Sequence, residues 1–370
     1  MLGVFDWVMV FSILPIVVAG FATISSFGTE NELFHKQIVW LGFSLFVFLL
    51  FSFIDWRFLR ETRVVVGIFF TTVVLLLLLF IFATVTQGAR SWFDLGSFSF
   101  QPSDPAKLIL ILILAKYFSR RHIEIANFRH ILVSGLYAFI LFVLVLLQPD
   151  FGSAIIMFLI WLGMILVSGI SKKHLFLVFA VGILTFAGLW SFAFKEYQKD
   201  RVRTFLNPLA DIHGAGYNAF QSTVAVGSGG FLGKGFGYGT QSRLKFLPEY
   251  ETDFVFAAFA EEWGFVGVTI LFISYGIFIW RVILYGRFGA TNFESLFCLG
   301  YAFFIMSHIT IHVGINIGLL PVTGTTLPLM SYGGSHLVTV FAGLGIINGM
   351  RRYARSDLRV ISEKEVPIIS

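Results

Sequence analysis

Cysteine occurs once in this chain, at Cys298 within an apolar run, which excludes an intrachain disulfide and any cysteine-based metal site. Charge is equally scarce. Asp, Glu, Lys and Arg make up 13% of 370 residues, against about a quarter in a soluble domain. With 57% hydrophobic residues and a mean hydropathy of +0.86, a soluble globular domain is excluded, and length-per-domain priors for soluble chains do not apply. No basic cluster precedes the first apolar stretch, since the first Lys or Arg is Lys36. That stretch therefore reads as a retained span and not a cleaved signal. No Walker spacing exists either: GKG and GFGYG do not open a helix after a strand, so a nucleotide P-loop is rejected. The net charge of +5 and pI near 9.3 follow from the basic loops of a membrane protein and carry no nucleic-acid reading.

What the chain has in abundance is long apolar runs. Ten of spanning character fall at about Val4–Ser25, Ile38–Ile54, Val64–Thr84, Pro105–Phe118, Ile131–Leu147, Ala154–Ile170, Leu175–Phe194, Phe254–Leu284, Leu296–Leu320 and His336–Met350. Runs of this length with no room for strands predict an all-α polytopic membrane bundle. One set of loops carries Arg57, Arg60, Arg63, Lys116, Arg120, Arg121, Arg129, Lys172, Lys173, Arg281 and Arg287, and the tail adds Arg351 and Arg352. The opposite short loops hold only Lys36 and Arg90. Both termini are therefore expected in the cytoplasm. The expected organisation is one helical domain over 1–350, with an extracytoplasmic loop at about 195–253 and a tail at 351–370. The glycines from Gly214 to Gly239 in that loop permit close backbone approach, and a loop so long is functional or disordered. Its interleaved Tyr217, Phe220, Phe231, Phe236 and Tyr238 argue against disorder.

Against this background the stretch Phe246–Gly264 stands out with five carboxylates: Glu249, Glu251, Asp253, Glu261 and Glu262. A charge at bilayer depth costs at least ~2.5–3.5 kcal/mol on insertion scales and usually marks function. Thr252 reads as a helix N-cap, which places Asp253 in the first turn. There the helix dipole favours the ionised form and partial burial the neutral one, making Asp253 a candidate general base. The alternative is a solvated loop rim followed by one internal ion pair.

Further polar groups sit at the same ends of the spans: Gln148 and Asp150 after the fifth, Lys107 three residues past Asp104 on the fourth, and Arg90 and Arg201 beside the loops. Leu320–Ser335, LPVTGTTLPLMSYGGS, is too apolar for an open loop. It reads as a re-entrant element whose free backbone N–H groups, at Ser331, Tyr332, Gly333, Gly334 and Ser335, suit an anion; a tight apolar turn is the alternative. His308, His312 and Asn316 share one helix face, but HITIH lacks the Glu of a zinc-protease helix. Satisfied polar groups inside a bundle are the expected role. No Ser-His-Asp or Cys-His set and no organic-cofactor signature is present. One carboxylate, scattered cations and a lipid-exposed entrance suit a lipid-linked phosphate or pyrophosphate.

QPSDPAK (101–107), QPDFGSA (148–154), GAGYNAFQSTVAVGSGG (214–230), GKGFGYGTQSRLKFLPEYETDFVFAAFAEEWG (233–264) and LLPVTGTTLPLMSYGGS (319–335) resemble the signature blocks of the SEDS family. These are the shape, elongation, division and sporulation proteins that polymerise peptidoglycan glycan strands. The wording resembles the rod-shape (RodA) branch more than the division (FtsW) branch. The resemblance implies a lipid II polymerase of the bacterial inner membrane, its active site facing the periplasm. It makes Asp253 the essential acid and places Lys107, Arg201, Arg90, Gln148, Asp150, Glu249 and the Ser331–Ser335 block around the substrates, lipid II and undecaprenyl-pyrophosphate-linked glycan. It allows a divalent cation, Mg²⁺ or Mn²⁺, at Asp253 and no organic cofactor. Partners would be a class B penicillin-binding protein and other elongation-complex membrane proteins. Asp104 with Pro105, Ser91 and His312 depart from the family pattern. The rival readings are a lipid II flippase, which needs polar groups through the depth of the bundle, and a non-catalytic scaffold.

Overall fold

The computed structural model describes residues 6–26, 32–82, 91–94, 99–120, 128–192, 196–207, 215–244, 246–247 and 249–365. Arg90 lies outside them. A lipid core offers no hydrogen bonds, so an apolar run satisfies its own backbone by coiling. Each of the ten runs does so: α1 (Trp7–Ser25), α2 (Glu32–Phe53), α3 (Thr62–Phe82), α4 (Ser103–Ser119), α5 (Phe128–Leu147), α6 (Phe151–Val167), α7 (Lys172–Phe192), α11 (Val255–Arg287), α12 (Asn292–Asn316) and α13 (Gly334–Glu365). Among the described residues seven of these, α1, α2, α3, α5, α7, α11 and α12, are long and apolar enough to cross a membrane. α6 is apolar but shorter, α4 carries Asp104 and Lys107, and α13 runs on past Met350.

The long loop holds more structure than its glycines predicted: α8 (Glu196–Leu206), α9 (Ala215–Ser228) and the single turn α10 (Thr240–Arg243). Charged side chains spaced three apart line α8, with Lys199 on Glu196 at 3.3 Å and Arg203 on Asp200 at 2.9 Å. A two-residue antiparallel pair, β1 (Phe93–Asp94) and β2 (Ser99–Phe100), also forms where no strand was expected.

The start of the described chain meets α11 and α13 at one end of the bundle. Asp6 accepts the Val8 N–H at 2.9 Å to cap α1 and takes Arg281 Nε at 2.8 Å, while the Tyr285 hydroxyl donates to the same carboxylate. Arg351 of α13 donates to that hydroxyl at 2.8 Å. Nearby, Arg60 and Tyr353 both reach the buried Glu294 at 2.8 Å. The other end carries α8 to α10 and the acidic stretch. Between them α4 and α12 form the centre, brought together at Gly300, where a Cβ would sit 2.6 Å from Ile111, as small residues allow in membrane bundles.

α11 is broken at Gly264, whose φ of +61° and ψ of −164° are not helical. Its Cα lies so close to the loop that a Cβ would stand 2.2 Å from Gly233 N. The loop satisfies the backbone that the break releases: Phe265 N–H donates to Gly230 O at 3.0 Å, Lys234 N–H to Glu261 O at 2.9 Å and Gly235 N–H to Glu262 O at 3.0 Å. The two carboxylates here are structural. Buried Glu261 pairs with Lys234 at 2.7 Å and accepts the Thr240 N–H at 2.9 Å at the start of α10. Glu262 accepts the Gly237 N–H at 2.8 Å. For Glu261 the reading as an internal ion pair holds; Glu262 is held by a backbone N–H and has no ion-pair partner among the described residues.

Candidate active site

The site is built on a turn at Glu249. Its φ of +51° is left-handed, a conformation that costs a non-glycine residue about 1–2 kcal/mol. In return its carbonyl accepts the N–H groups of Thr252, Asp253 and Phe254 at 3.1, 3.0 and 3.2 Å. The chain is thereby wound into the head of α11. Thr252 is not the cap: Phe254 occupies that position without a side-chain bond, and Thr252 Oγ1 donates to Glu249 instead, at 3.3 Å. The capping oxygen comes from α12. Asn316 Oδ1 accepts the Ala257 N–H at 2.9 Å, and its Nδ2 donates to Asp253 O at 3.0 Å. From the other side Ser331 Oγ donates to Thr252 O and Tyr332 N–H to Glu251 O, each at 2.8 Å.

So clamped, Asp253 presents a half-buried carboxylate that no hydrogen bond reaches among the described residues. Burial, with the Glu249 charge adding to it, raises its pKa to about 7, while Arg201 pulls the other way. Opposite lies Gly324, with φ +72°; a Cβ there would stand 3.6 Å from Asp253 Oδ2. Arg201, on α8, borders a groove of about 250 Å³ walled by Phe205, Phe220, Ile317, Leu320, Pro321 and Val322.

Other sequence candidates serve the scaffold. Asp150 caps α6 through Ser153 N–H at 3.0 Å, and its second oxygen accepts Gln101 Nε2 at 2.8 Å and Ser103 Oγ at 3.0 Å. Gln148, fully buried, donates to Leu76 O at 2.8 Å and accepts Ser91 Oγ on its carbonyl at 2.9 Å. Ser335 Oγ accepts the Gln101 N–H at 3.2 Å. Leu320–Ser335 is non-helical up to Gly333 and largely buried from Thr323 on, and three of its five expected donors are not free for an anion. Ser331 N–H closes on Leu327 O at 3.0 Å, Tyr332 N–H on Glu251 O, and Gly333 N–H on Gln37 Oε1 at 3.4 Å. Gly334 opens α13 against Trp40, where a Cβ would stand 2.0 Å from the ring.

Lys107 is not open to the site either. It is 1% exposed and paired with Asp104 at 3.0 Å. The stretch Thr323–Thr326 separates this pair from Asp253: Gly324 faces the acid, while the Thr325 and Thr326 carbonyls take His312 Nδ1 at 2.6 Å and His308 Nδ1 at 3.0 Å. Both histidines are bonded at Nδ1, but their Nε2 atoms are buried without a partner among the described residues, so the expected satisfied pair is met only in part. His336, 3.6 Å from Asp104, escaped the sequence reading; a histidine at the head of an apolar run was the available signal. Among the described residues no cluster of three or more His, Cys, Asp or Glu could hold a metal ion. Asp253 and Glu249 supply two neighbouring carboxylates, the number with which Mg²⁺ is commonly held alongside substrate phosphates.

A family model described as "Cell cycle protein", FtsW/RodA/SpoVE, matches residues 1–356. The peptidoglycan glycosyltransferase MrdB of Escherichia coli (strain K12) is 36% identical over 283 residues, 76% of this chain and 76% of that protein. A solved chain described under "Structural coordination of polymerization and crosslinking by a peptidoglycan synthase complex" superposes with a TM-score of 0.82 at 33% identity, covering 95% of this chain and 98% of that one. The rod shape determining protein RodA of Thermus thermophilus gives a TM-score of 0.71 at 31% identity, over 94% and 97% of the two chains.

Proposed function

Because this chain belongs to the FtsW/RodA/SpoVE family, we propose that its peptidoglycan glycosyltransferase activity resides at Asp253. The protein is a multi-pass membrane enzyme that polymerises lipid II into glycan strands. One observation carries the site assignment: a half-buried carboxylate without a hydrogen-bond partner among the described residues, poised near neutrality between Glu249 and Arg201. An acid so placed has the pKa a general base needs at cellular pH.

In the reaction the acceptor's 4-hydroxyl oxygen attacks the anomeric carbon of the lipid-linked donor chain. The bond from that carbon to the pyrophosphate oxygen breaks, and undecaprenyl pyrophosphate leaves with the electron pair. The configuration inverts, and the hydroxyl proton passes to an Asp253 oxygen. Arg201 stabilises the charge developing on the leaving pyrophosphate, and the apolar groove beside it suits a prenyl chain. Mg²⁺ or Mn²⁺ held by Asp253, Glu249 and substrate phosphates would supply charge neutralisation there. Glu249 otherwise acts by keeping the Asp253 pKa high. Gln148, Asp150, Ser331 and Ser335 hold the frame. The crosslinking partner is a class B penicillin-binding protein within an elongation complex.

Purified protein supplied with labelled lipid II should yield glycan ladders. Dye translocation without ladders would make the chain a flippase, and neither product would leave a scaffold. Asp253, Glu249 and Arg201 gather at one end of the bundle, which favours the enzyme. Orientation has its own test. A reporter fused after Arg352 should read as cytoplasmic and one inserted near Gly230 as periplasmic. The reverse pattern would put Asp253 on the side away from the growing wall.

A further inference from the structure

We infer that His336 is a positioning residue, the second partner of Asp104, which takes over the carboxylate when a substrate phosphate captures the Lys107 ammonium. This rests on the proposed polymerase function and on the expectation from the family resemblance that Lys107 meets a substrate phosphate, and it supplies the step by which a lysine closed off in the structure becomes available.

The pair is shut in the structure. Lys107 and Asp104 are 1% and 3% exposed, with Nζ 3.0 Å from Oδ1. A phosphate that draws the ammonium away strands a carboxylate in the protein interior, and breaking a buried ion pair from one side is far costlier than keeping it. A donor already in place lowers that cost. His336, on the first turn of α13, is 5% exposed with Nδ1 3.6 Å from Asp104 Oδ1. That separation is beyond hydrogen-bond length, and a shift of well under an ångström closes it.

The unpaired atoms fit such a transfer. Among the described residues Asp104 Oδ2 and both ring nitrogens of His336 are buried without partners, whereas buried polar groups are nearly always bonded. They form a carboxylate and an imidazole with matching empty valences. Around His336 stand Asp104 and Lys107 from α4, and His308 and His312 from α12. The His308 ring centroid is 4.4 Å away, but its Nδ1 is committed to Thr326 O at 3.0 Å. With its Nδ1–H given to Thr326, a neutral His308 keeps only an acceptor at its unpartnered Nε2, whereas His336 beside Asp104 has a ring N–H to give. Its helix also carries Ser335, whose hydroxyl bonds the Gln101 backbone, so the ring sits on a fixed base.

The test compares purified full-length protein on labelled lipid II. His336→Leu, with His336→Phe as a second apolar replacement, removes the donor; His336→Gln keeps one. Loss of a hydrogen bond to a charged group corresponds to roughly a 10-fold to 100-fold weaker equilibrium. The apolar variants should raise KM for lipid II on that scale while kcat falls much less, and His336→Gln should restore most of it. A wild-type KM in both apolar variants overturns the inference. So does an equal loss in all three variants, which would mark a packing role. Lys107→Met separates the premise: if it keeps the wild-type KM, the reading of Lys107 fails. If it raises KM while His336→Leu does not, only the role of His336 fails.

Discussion

Asp253→Asn should lower glycan polymerisation by roughly 10²–10⁴ at equal amounts of folded protein, the usual scale of a general-base contribution. The amide keeps the shape and one acceptor oxygen but takes no proton and carries no charge. Because burial raises the Asp253 pKa to about 7, the wild-type rate should climb as pH rises through that value and the base ionises. Glu249→Gln keeps the backbone carbonyl that winds the turn but removes a charge that raises the Asp253 pKa, so the rising limb should move to lower pH. Glu251 meets the site through its backbone oxygen, and Glu251→Gln should lose little. Stability has the opposite sign. A carboxyl whose folded pKa lies above its unfolded value favours folding in its neutral form. That contribution is complete below the unfolded value of 3.8 and is lost as pH rises through about 7. Asp253→Asn therefore folds at least as well as wild type above neutrality. Equal product from the two proteins would return the acidic stretch to a solvated rim.

The sequence made the bundle legible because lipid leaves an apolar run few choices: all ten runs became helices, most within a few residues of their expected ends, while α2 starts earlier than Ile38 and α13 continues well past Met350. Asp253 was legible for a related reason, since a carboxylate at the mouth of a span needs explaining. Its mooring was not. The donors and acceptors that fix the turn come from Asn316, Ser331 and Tyr332, far along the chain, and a left-handed Glu249 has no pattern that announces it. Thr252 looked like a cap because local capping rules assume that the helix satisfies its own first turn; here α12 supplies the oxygen. The Leu320–Ser335 backbone was read correctly as buried and non-helical. Which of its N–H groups remained free depended on contacts with α2 and the acidic stretch.

Lys107→Met should reduce both activity and the amount of folded protein, and a compensating change should separate the two losses. By its place at the end of the fourth span Lys107 reads as a cation at the edge of a site, and loss of charge at an open edge costs a fold little. Burial changes that expectation. With both groups under 4% exposed, removing one leaves the other charged in the interior, a loss of ~3–5 kcal/mol, whereas replacing both by neutral groups of similar volume is often neutral or stabilising. Accumulation in the membrane should therefore rank wild type and Asp104→Asn/Lys107→Met together, above Lys107→Met and above Asp104→Asn, each of which strands one charge. Part of the Lys107→Met loss should be softened by His336 turning toward Asp104. Polymerisation per folded molecule then isolates chemistry from folding. If Lys107 contacts phosphate, the double variant folds but polymerises poorly, because no cation replaces the ammonium. If the pair only braces α4, the double variant polymerises like wild type, and Lys107 belongs to the scaffold with Asp150 and Gln148.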